Sequence, residues 1–327
     1  MDMRNVGFSL TDKCNASCSV CCFQCSPHGS FLIDEGTAKQ YIDEAGETGT
    51  VGTLYFSGGE PLLFPEVLKR LTRYAFENYG IQSLVATNGF WGGDIERGTA
   101  LMRELAECGL SRVRISADLY HQQYISADAV KGALRIAHDL GVLSHVTVMD
   151  VRGHPNMRAV IESMRPEIYL APFIAWYPLY LPEAVLSNRQ LGIGRDDLLE
   201  PVPWDACYCR DFSGPRLFWD GGIYNCCSQF TREIPRMRVG TIGETTLAQA
   251  WRRMYSDPIL DVIRRAGVTW LAEKARELGV PIRQRYTSEC ELCRDLLCDE
   301  ELVSKLAPLA HRESQKRRVA WLLRRLN

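Results

Sequence analysis

The stretch Phe8-Ser-Leu-Thr-Asp-Lys-Cys14-Asn-Ala-Ser-Cys18-Ser-Val-Cys21-Cys22-Phe-Gln-Cys25 carries the decision about this chain. A β-rich run, Val6–Leu10, ends just before three thiols spaced C-x3-C-x2-C at Cys14, Cys18 and Cys21. Three thiolates on one loop can hold three irons of a 4Fe-4S cluster and leave the fourth iron to an outside ligand. An ordinary electron-carrying cluster takes four. The same stretch also spells C-x2-C-C-x2-C from Cys18 to Cys25, which can close a tetrahedral zinc shell.

Working outward, the thiols stay clustered. Of thirteen cysteines in 327 residues, five lie between Cys14 and Cys25 and seven between Cys207 and Cys298, with Cys108 alone. Clustered thiols read as metal ligands, not as a disulfide framework or a simple hydrolase scaffold. The formal charge of −2 gives no general attraction to nucleic acid or membranes. The best apolar run, Ile168 to Leu181, is interrupted by Pro172 and Pro178, and the N-terminus has no signal-peptide pattern. A cytoplasmic protein is expected.

Strand candidates are Val6–Leu10, Val51–Phe56, Ser83–Thr87, Arg112–Ala117, His145–Asp150 and Glu167–Leu170. Helical periodicity separates them, as at Val67, Leu68, Leu71, Tyr74 and Ala75 before Gly80. Serial β–α units predict an α/β fold with a parallel sheet, open or closed into a partial barrel. The pattern changes near Gly192–Trp204, which reads as a connector between regions 1–200 and 201–327. The basic tail from His311 is expected to be a terminal helix packed through Val319, Leu322, Leu323 and Leu326.

Polar motifs fall at the C-terminal ends of these strands, the rim where α/β barrels place chemistry. They are Ser57-Gly58-Gly59-Glu60-Pro61, Thr87-Asn88-Gly89 and Ser116-Ala117-Asp118. Backbone and carboxylate of the first are expected to face a ligand's ammonium. With these motifs the first 170 residues or so resemble the radical S-adenosylmethionine (SAM) superfamily. The resemblance implies a partial (β/α)6 barrel in which Cys14, Cys18 and Cys21 hold a 4Fe-4S cluster and SAM chelates its fourth iron. It also implies that Gly58, Gly59 and Glu60 bind the SAM amino group and that Ser116 and Asp118 meet its ribose or carboxylate. Ser57 and Asn88 complete the expected cofactor-binding set. Val20 stands where the family commonly has an aromatic residue. Cys22 and Cys25 exceed the cluster's needs and are assigned to packing, a second metal or a reactive thiol near the substrate being the other reading, and Cys108 is assigned to the core. His121 reads equally as a helix-start residue or as part of the active-site mouth.

The later thiols run Cys207-Tyr-Cys209, Cys226-Cys227 and Cys290-x2-Cys293-x4-Cys298, with a hairpin expected at Leu217–Asn225 turning at Asp220-Gly221. A hairpin bringing Cys209 and Cys226 together, closed by a distant C-x2-C, suits one more cluster; a structural zinc is the other reading. This region resembles the SPASM and twitch extensions of radical SAM enzymes that act on peptides, which implies a smaller C-terminal iron–sulfur domain with one auxiliary 4Fe-4S cluster. Cys209, Cys226, Cys290 and Cys293 are its first-choice ligands, Cys207 and Cys298 substitutes. Neighbours in a strand point to opposite faces, so Cys226 is expected to ligate and Cys227 to be a free thiol.

The closest resemblance is to radical SAM peptide epimerases. It implies removal of a peptide α-hydrogen, return of a hydrogen atom from Cys227 and L-to-D inversion in a ribosomally made precursor peptide. An external electron donor such as flavodoxin or ferredoxin is expected as a partner. Strand one begins near residue 5, so no N-terminal peptide-recognition domain is expected. The alternatives are a peptide maturase forming thioether or carbon–carbon crosslinks, and a zinc-stapled interaction module.

Overall fold

The computed structural model describes residues 3–150, 156–178, 202–207, 209, 214–228, 230–286 and 288–326. The expected connector from Gly192 to Pro201 lies outside the described residues. The chain divides into two compact units, one of residues 1–199 with 214–222, the other of residues 200–213 with 223–327.

The first unit alternates strands and helices: β1 (Asn5–Thr11), α1 (Glu35–Glu47), β2 (Thr53–Gly58), α2 (Pro65–Tyr79), β3 (Gln82–Thr87), α3 (Ile95–Glu107), β4 (Leu110–Ser116), α4 (Ala127–Asp139), β5 (Leu143–Asp150), α5 (Asn156–Ser163) and β6 (Phe173–Pro178). Each strand pairs in parallel with the next, in chain order from β1 to β6. This is the partial (β/α)6 barrel sheet. Val6, Phe8 and Leu10 of β1, Leu54 and Phe56 of β2 and Val113 and Ile115 of β4 are completely buried, as a parallel sheet flanked by helices requires. Phe8 and Phe56 face each other in register and stack at 5.5 Å. Burying each such side chain is worth about 1.5–3 kcal/mol before entropy is counted.

Local chemistry sets the helix ends. Asp34, Asp94 and Ser126 cap α1, α3 and α4 by accepting N–H bonds from Thr37, Arg97 and Ala129. Cys108 ends α3 completely buried, as expected. The sixth strand is a correction. Glu167–Leu170 is a 3-10 turn that packs on α4, with Ile168 buried and Tyr169 exposed. The strand begins three residues later, where Pro172 and Pro178 sit at its ends and break no interior ladder bond. β7 (Val202–Pro203) belongs to the other unit. β8 (Arg216–Leu217) joins the outer edge of β1 in parallel and enters the expected turn. There Phe218 N–H donates to Gly222 O, Gly221 N–H to Phe218 O, and Asp220 Oδ1 accepts from Gly222 N–H.

The second unit is mostly helical. β9 (Gly222–Tyr224) neighbours β10 (Arg238–Thr241), and β11 (Arg285–Tyr286) pairs antiparallel with β7. Five helices follow one another: α6 (Leu247–Ser256), α7 (Pro258–Ala266), α8 (Val268–Glu277), α9 (Glu289–Leu297) and α10 (Glu300–Leu326). α10 buries Leu302, Val303, Leu306, Ala310 and Ser314, one stripe at helical spacing. The expected tail helix is therefore present; of its expected packed face Val319 and Leu323 are exposed, while the side chains of Leu322 and Leu326 lie outside the described residues. At the far end of that stripe Ser314 Oγ donates to Asp261 Oδ2 of α7 at 2.5 Å. Arg265 bonds both oxygens of the same buried carboxylate at 2.9 and 3.0 Å, and Arg264 also pairs with it. Among the described residues no helix is long and apolar enough to cross a membrane.

Candidate active site

The exits of β1 and β2 are laced together where the first thiol sits. Gly59 N–H donates to Thr11 O at 2.7 Å and Glu60 N–H to Lys13 O at 2.8 Å. A Cβ on Gly58 would lie 2.1 Å from Thr11 O, and one on Gly59 2.1 Å from Lys13 O. No other residue type lets these two backbones approach so closely. The loop beyond is fixed by Cys14 N–H donating to Ser26 O, Cys21 N–H to Cys18 O and Tyr124 O–H to Ser17 O at 2.8 Å. Phe23 packs edge-on against Phe218 and Trp219.

Glu60 is buried to 0 % exposure. Its Oε1 accepts from Leu62 N–H at 3.1 Å and its Oε2 from Asn88 N–H at 2.7 Å. The carboxylate thus ties the β2 exit to the β3 exit. Burial pushes its pKa up to about 7 against the pull of these bonds. Asn88 Nδ2 donates to Asn15 Oδ1 at 2.7 Å and lies 3.9 Å from Cys14 Sγ.

Asp118, also fully buried, is committed in the same way. Oδ1 accepts from Tyr120 N–H, His121 N–H and His121 Nδ1 at 2.8 Å, and Oδ2 from Met149 N–H. It holds His121, which sequence reasoning left undecided. The signal was the Asp-x-x-His spacing, which lets a turn carboxylate grip both the backbone and the ring. Burial alone disfavours the imidazolium, but the Asp118 charge and hydrogen bond outweigh it and the His121 pKa is raised. Ser57 in β2 and Ser116 at the end of β4 are half-buried on the strands that carry these loops.

Cys14, Cys18 and Cys21 are half-buried on one loop. Burial pushes Cys14 up to about 11 and Cys18 to about 12. Cys21 goes the other way and is lowered, chiefly by a hydrogen bond from the Cys25 thiol. Cys25 is buried beside it. Three partly accessible sulfurs beside a glycine cradle fit a site-differentiated 4Fe-4S cluster.

In the second unit Cys209, Cys226, Cys290 and Cys293 line one cavity, with Ile234, Met237 and Ile263 among its apolar walls. Cys290 and Cys293 share a face of α9, and Ser228 N–H donates to Cys226 Sγ at 3.3 Å. Burial raises the pKa values of Cys290 and Cys293. Cys207 and Cys298 are not among the walls: Cys207 Sγ sits 3.8 Å from Pro203 O and Cys298 Sγ 3.6 Å from Glu233 O. β9 ends at Tyr224, so Cys226 and Cys227 follow the strand and its alternation does not orient them. Exposure separates them instead. Cys227 is exposed, Cys226 is not, and the Cys227 thiol hydrogen-bonds to Cys226.

Four sulfurs in apolar surroundings suit an iron–sulfur cluster, although the enclosed space, about 20 Å³, is smaller than one and its walls would have to part. Among the described residues no three His, Cys, Asp or Glu side chains are grouped to hold a single metal ion.

Residues 8–165 match the family model described as the Radical SAM superfamily. Over 312 residues, 93% of this chain and 95% of the relative, the sequence is 23% identical to YydG of Bacillus subtilis (strain 168), a protein named for a proposed role in peptide biosynthesis. A stretch of 84 residues, 26% of this chain and 29% of the relative, is 31% identical to the S-adenosylmethionine-dependent nucleotide dehydratase of Selenomonas ruminantium. Among solved structures, "Native anSMEcpe with bound AdoMet and Cp18Cys peptide" shares the fold with a TM-score of 0.52 at 13% identity, covering 95% of this chain and 99% of that one.

Proposed function

Residues 8–165 being a radical SAM domain, we propose that this radical SAM enzyme modifies a ribosomally made peptide, inverting an L residue to D. The observation that carries the peptide reading is likeness over 95% of YydG, so that the similarity takes in the thiol-rich second unit as well as the barrel. Cys14, Cys18 and Cys21 would hold the SAM-binding 4Fe-4S cluster, and the backbone of Gly58 and Gly59 would receive the SAM amino group. With both bound, that site supplies a radical able to take a hydrogen atom from carbon.

The chain's own residues do the rest. Glu60 and Asn88 lock the loops around Cys14, Asp118 holds His121 at the rim, and Ser57 and Ser116 offer hydroxyls there. Cys227, exposed and hydrogen-bonded to Cys226, is the hydrogen-atom donor in this reading. Cys209, Cys226, Cys290 and Cys293 would hold one auxiliary 4Fe-4S cluster, making the region from 201 an iron–sulfur domain and the region to 200 the barrel. A flavodoxin or ferredoxin would supply electrons.

The test is turnover of a candidate precursor peptide in deuterated water. Epimerisation adds one mass unit per inverted centre, and Cys227→Ala stops that incorporation while SAM cleavage continues. A product two mass units lighter, free of solvent deuterium and indifferent to Cys227→Ala, would replace epimerisation with crosslinking.

A further inference from the structure

The second unit has another cavity, an open cleft of about 610 Å³, which the reading above does not use. That is within the roughly 300–1,000 Å³ typical of ligand sites. Three guanidinium groups, Arg236, Arg238 and Arg253, stand around it against two carboxylates, Asp257 and Glu300. Its floor includes Val239, Leu260, Leu297 and Val303, all buried.

The charges are not equivalent. Asp257 is spent: Oδ2 accepts from Arg236 Nη1 at 2.5 Å, and Oδ1 caps α7 by accepting from Ile259 and Leu260 N–H. Arg253 gives one N–H to Val239 O at 3.0 Å, and Arg238 Nε approaches Gly240 O at 3.5 Å. A guanidinium has five N–H donors in a fork that matches a carboxylate, so most of both exposed forks remain for a ligand. The two carbonyls they cover belong to β10, which blunts that edge against strand addition. An occupant is therefore gripped by side chains.

We propose that this cleft binds an acidic, extended peptide segment, with two carboxylates on Arg238 and Arg253 and an apolar side chain on the floor between them. Free phosphate would leave the apolar floor unused, and a flat acidic protein face would not reach Leu260 or Val303. The inference rests on the peptide reading above and assigns the substrate an acidic anchor remote from the altered residue.

The cleft also shares its walls with the thiol cavity. Along one segment Met237 lines the cavity while Arg236 and Arg238 line the cleft. Helix α7 contributes Ile263 to one and Leu260 to the other, and α9 contributes Cys293 and Leu297. Because the two share these elements, binding in the cleft should alter the spectrum of whatever the thiols hold.

The experiment uses the full chain, reconstituted anaerobically, and a fluorescein-labelled dodecapeptide in which glutamates flank leucines. Its glutamine counterpart is the control. Anisotropy should show the glutamate peptide binding at least about tenfold tighter, with the advantage shrinking as NaCl rises from roughly 50 to roughly 300 mM. The double variant Arg238→Gln with Arg253→Gln should lose that advantage, and Arg238→Lys with Arg253→Lys, which keeps the charge, should retain part of it with the same iron content. Equal binding of both peptides, full displacement by inorganic phosphate, or equally charge-dependent displacement by an acidic flavodoxin would each overturn the proposal. The assay needs no turnover. Charge-dependent binding without modification of any peptide would sink the functional reading alone, whereas unchanged KM for a modified peptide in the double glutamine variant would sink the cleft alone.

Discussion

At the scale of single residues, Glu60 shows how a motif's identity and its work can come apart. Its place in Gly-Gly-Glu-Pro was legible in the sequence; that both oxygens are taken by backbone N–H groups was not, because burial is a property of the folded neighbourhood. Glu60→Gln keeps the shape but replaces one acceptor by a donor, which should cost about 1–3 kcal/mol. A pH signature accompanies it. The folded pKa is raised to about 7 from 4.5, so the folded chain binds the extra proton between those values. Stability from this group is full below pH 4.5 and declines as pH rises towards 7. Urea midpoints of the metal-free protein at either end of that range should differ in the wild type and differ by less in Glu60→Gln, the remaining dependence coming from other groups such as His121. Asp118 teaches the same lesson: its spacing was readable, its partner His121 was not. The arginines of the cleft gave no sequence signal, since Arg236, Arg238 and Arg253 look like ordinary solvated charges until β10 and α6 bring them together.

At the scale of elements, apolar alternation located five of the six barrel strands. It failed at Glu167–Leu170 because a 3-10 turn that buries Ile168 carries the same short pattern as a strand. It also misplaced part of the packed face of α10, since Val319 and Leu323 repeat the helical spacing of Leu302, Leu306 and Ala310 and yet are exposed. Beyond its apolar stripe α10 is held by a polar contact: Asp261 of α7 receives Ser314 and Arg318 of α10 and two arginines of its own helix. Asp261→Ala strands those donors in a buried site and should cost about 3–5 kcal/mol. Ser314→Ala, which leaves the arginines in place, should cost nearer 1 kcal/mol. Differential scanning calorimetry reads both, and an equal effect of the two would remove the carboxylate from the centre of this network. The Asp261 pKa is lowered despite burial, by Ser314 and the arginines. Its stabilisation therefore holds above the ordinary carboxylate range and is lost as pH falls through the lowered folded value.

For the whole molecule, thiol spacing forecast two separate sulfur sites, and the structure gathers Cys209, Cys226, Cys290 and Cys293 at one cavity in the second unit. Two four-iron sites would give about eight irons per chain. Cys293→Ala should remove about four of them and leave SAM cleavage in place, whereas a triple alanine variant of Cys14, Cys18 and Cys21 should remove the other four and abolish it. A wild-type content near twelve would bring Cys22, Cys25, Cys207 and Cys298 into a third cluster.

The joint between Gly58-Gly59 and Thr11–Lys13 has a further consequence. One backbone seam seats both the first thiol and the loop proposed to receive the cosubstrate, and a methyl group on either glycine lands 2.1 Å from a carbonyl oxygen. A screen of random variants at these two positions should therefore be bimodal, returning clones that resemble the parent or are dead. Gly59→Ala should fall in the second class and purify with about half the parental iron. A weak-binding, cluster-replete intermediate there would mean that the seam can yield, and that metal retention and cosubstrate affinity can be tuned apart by selection.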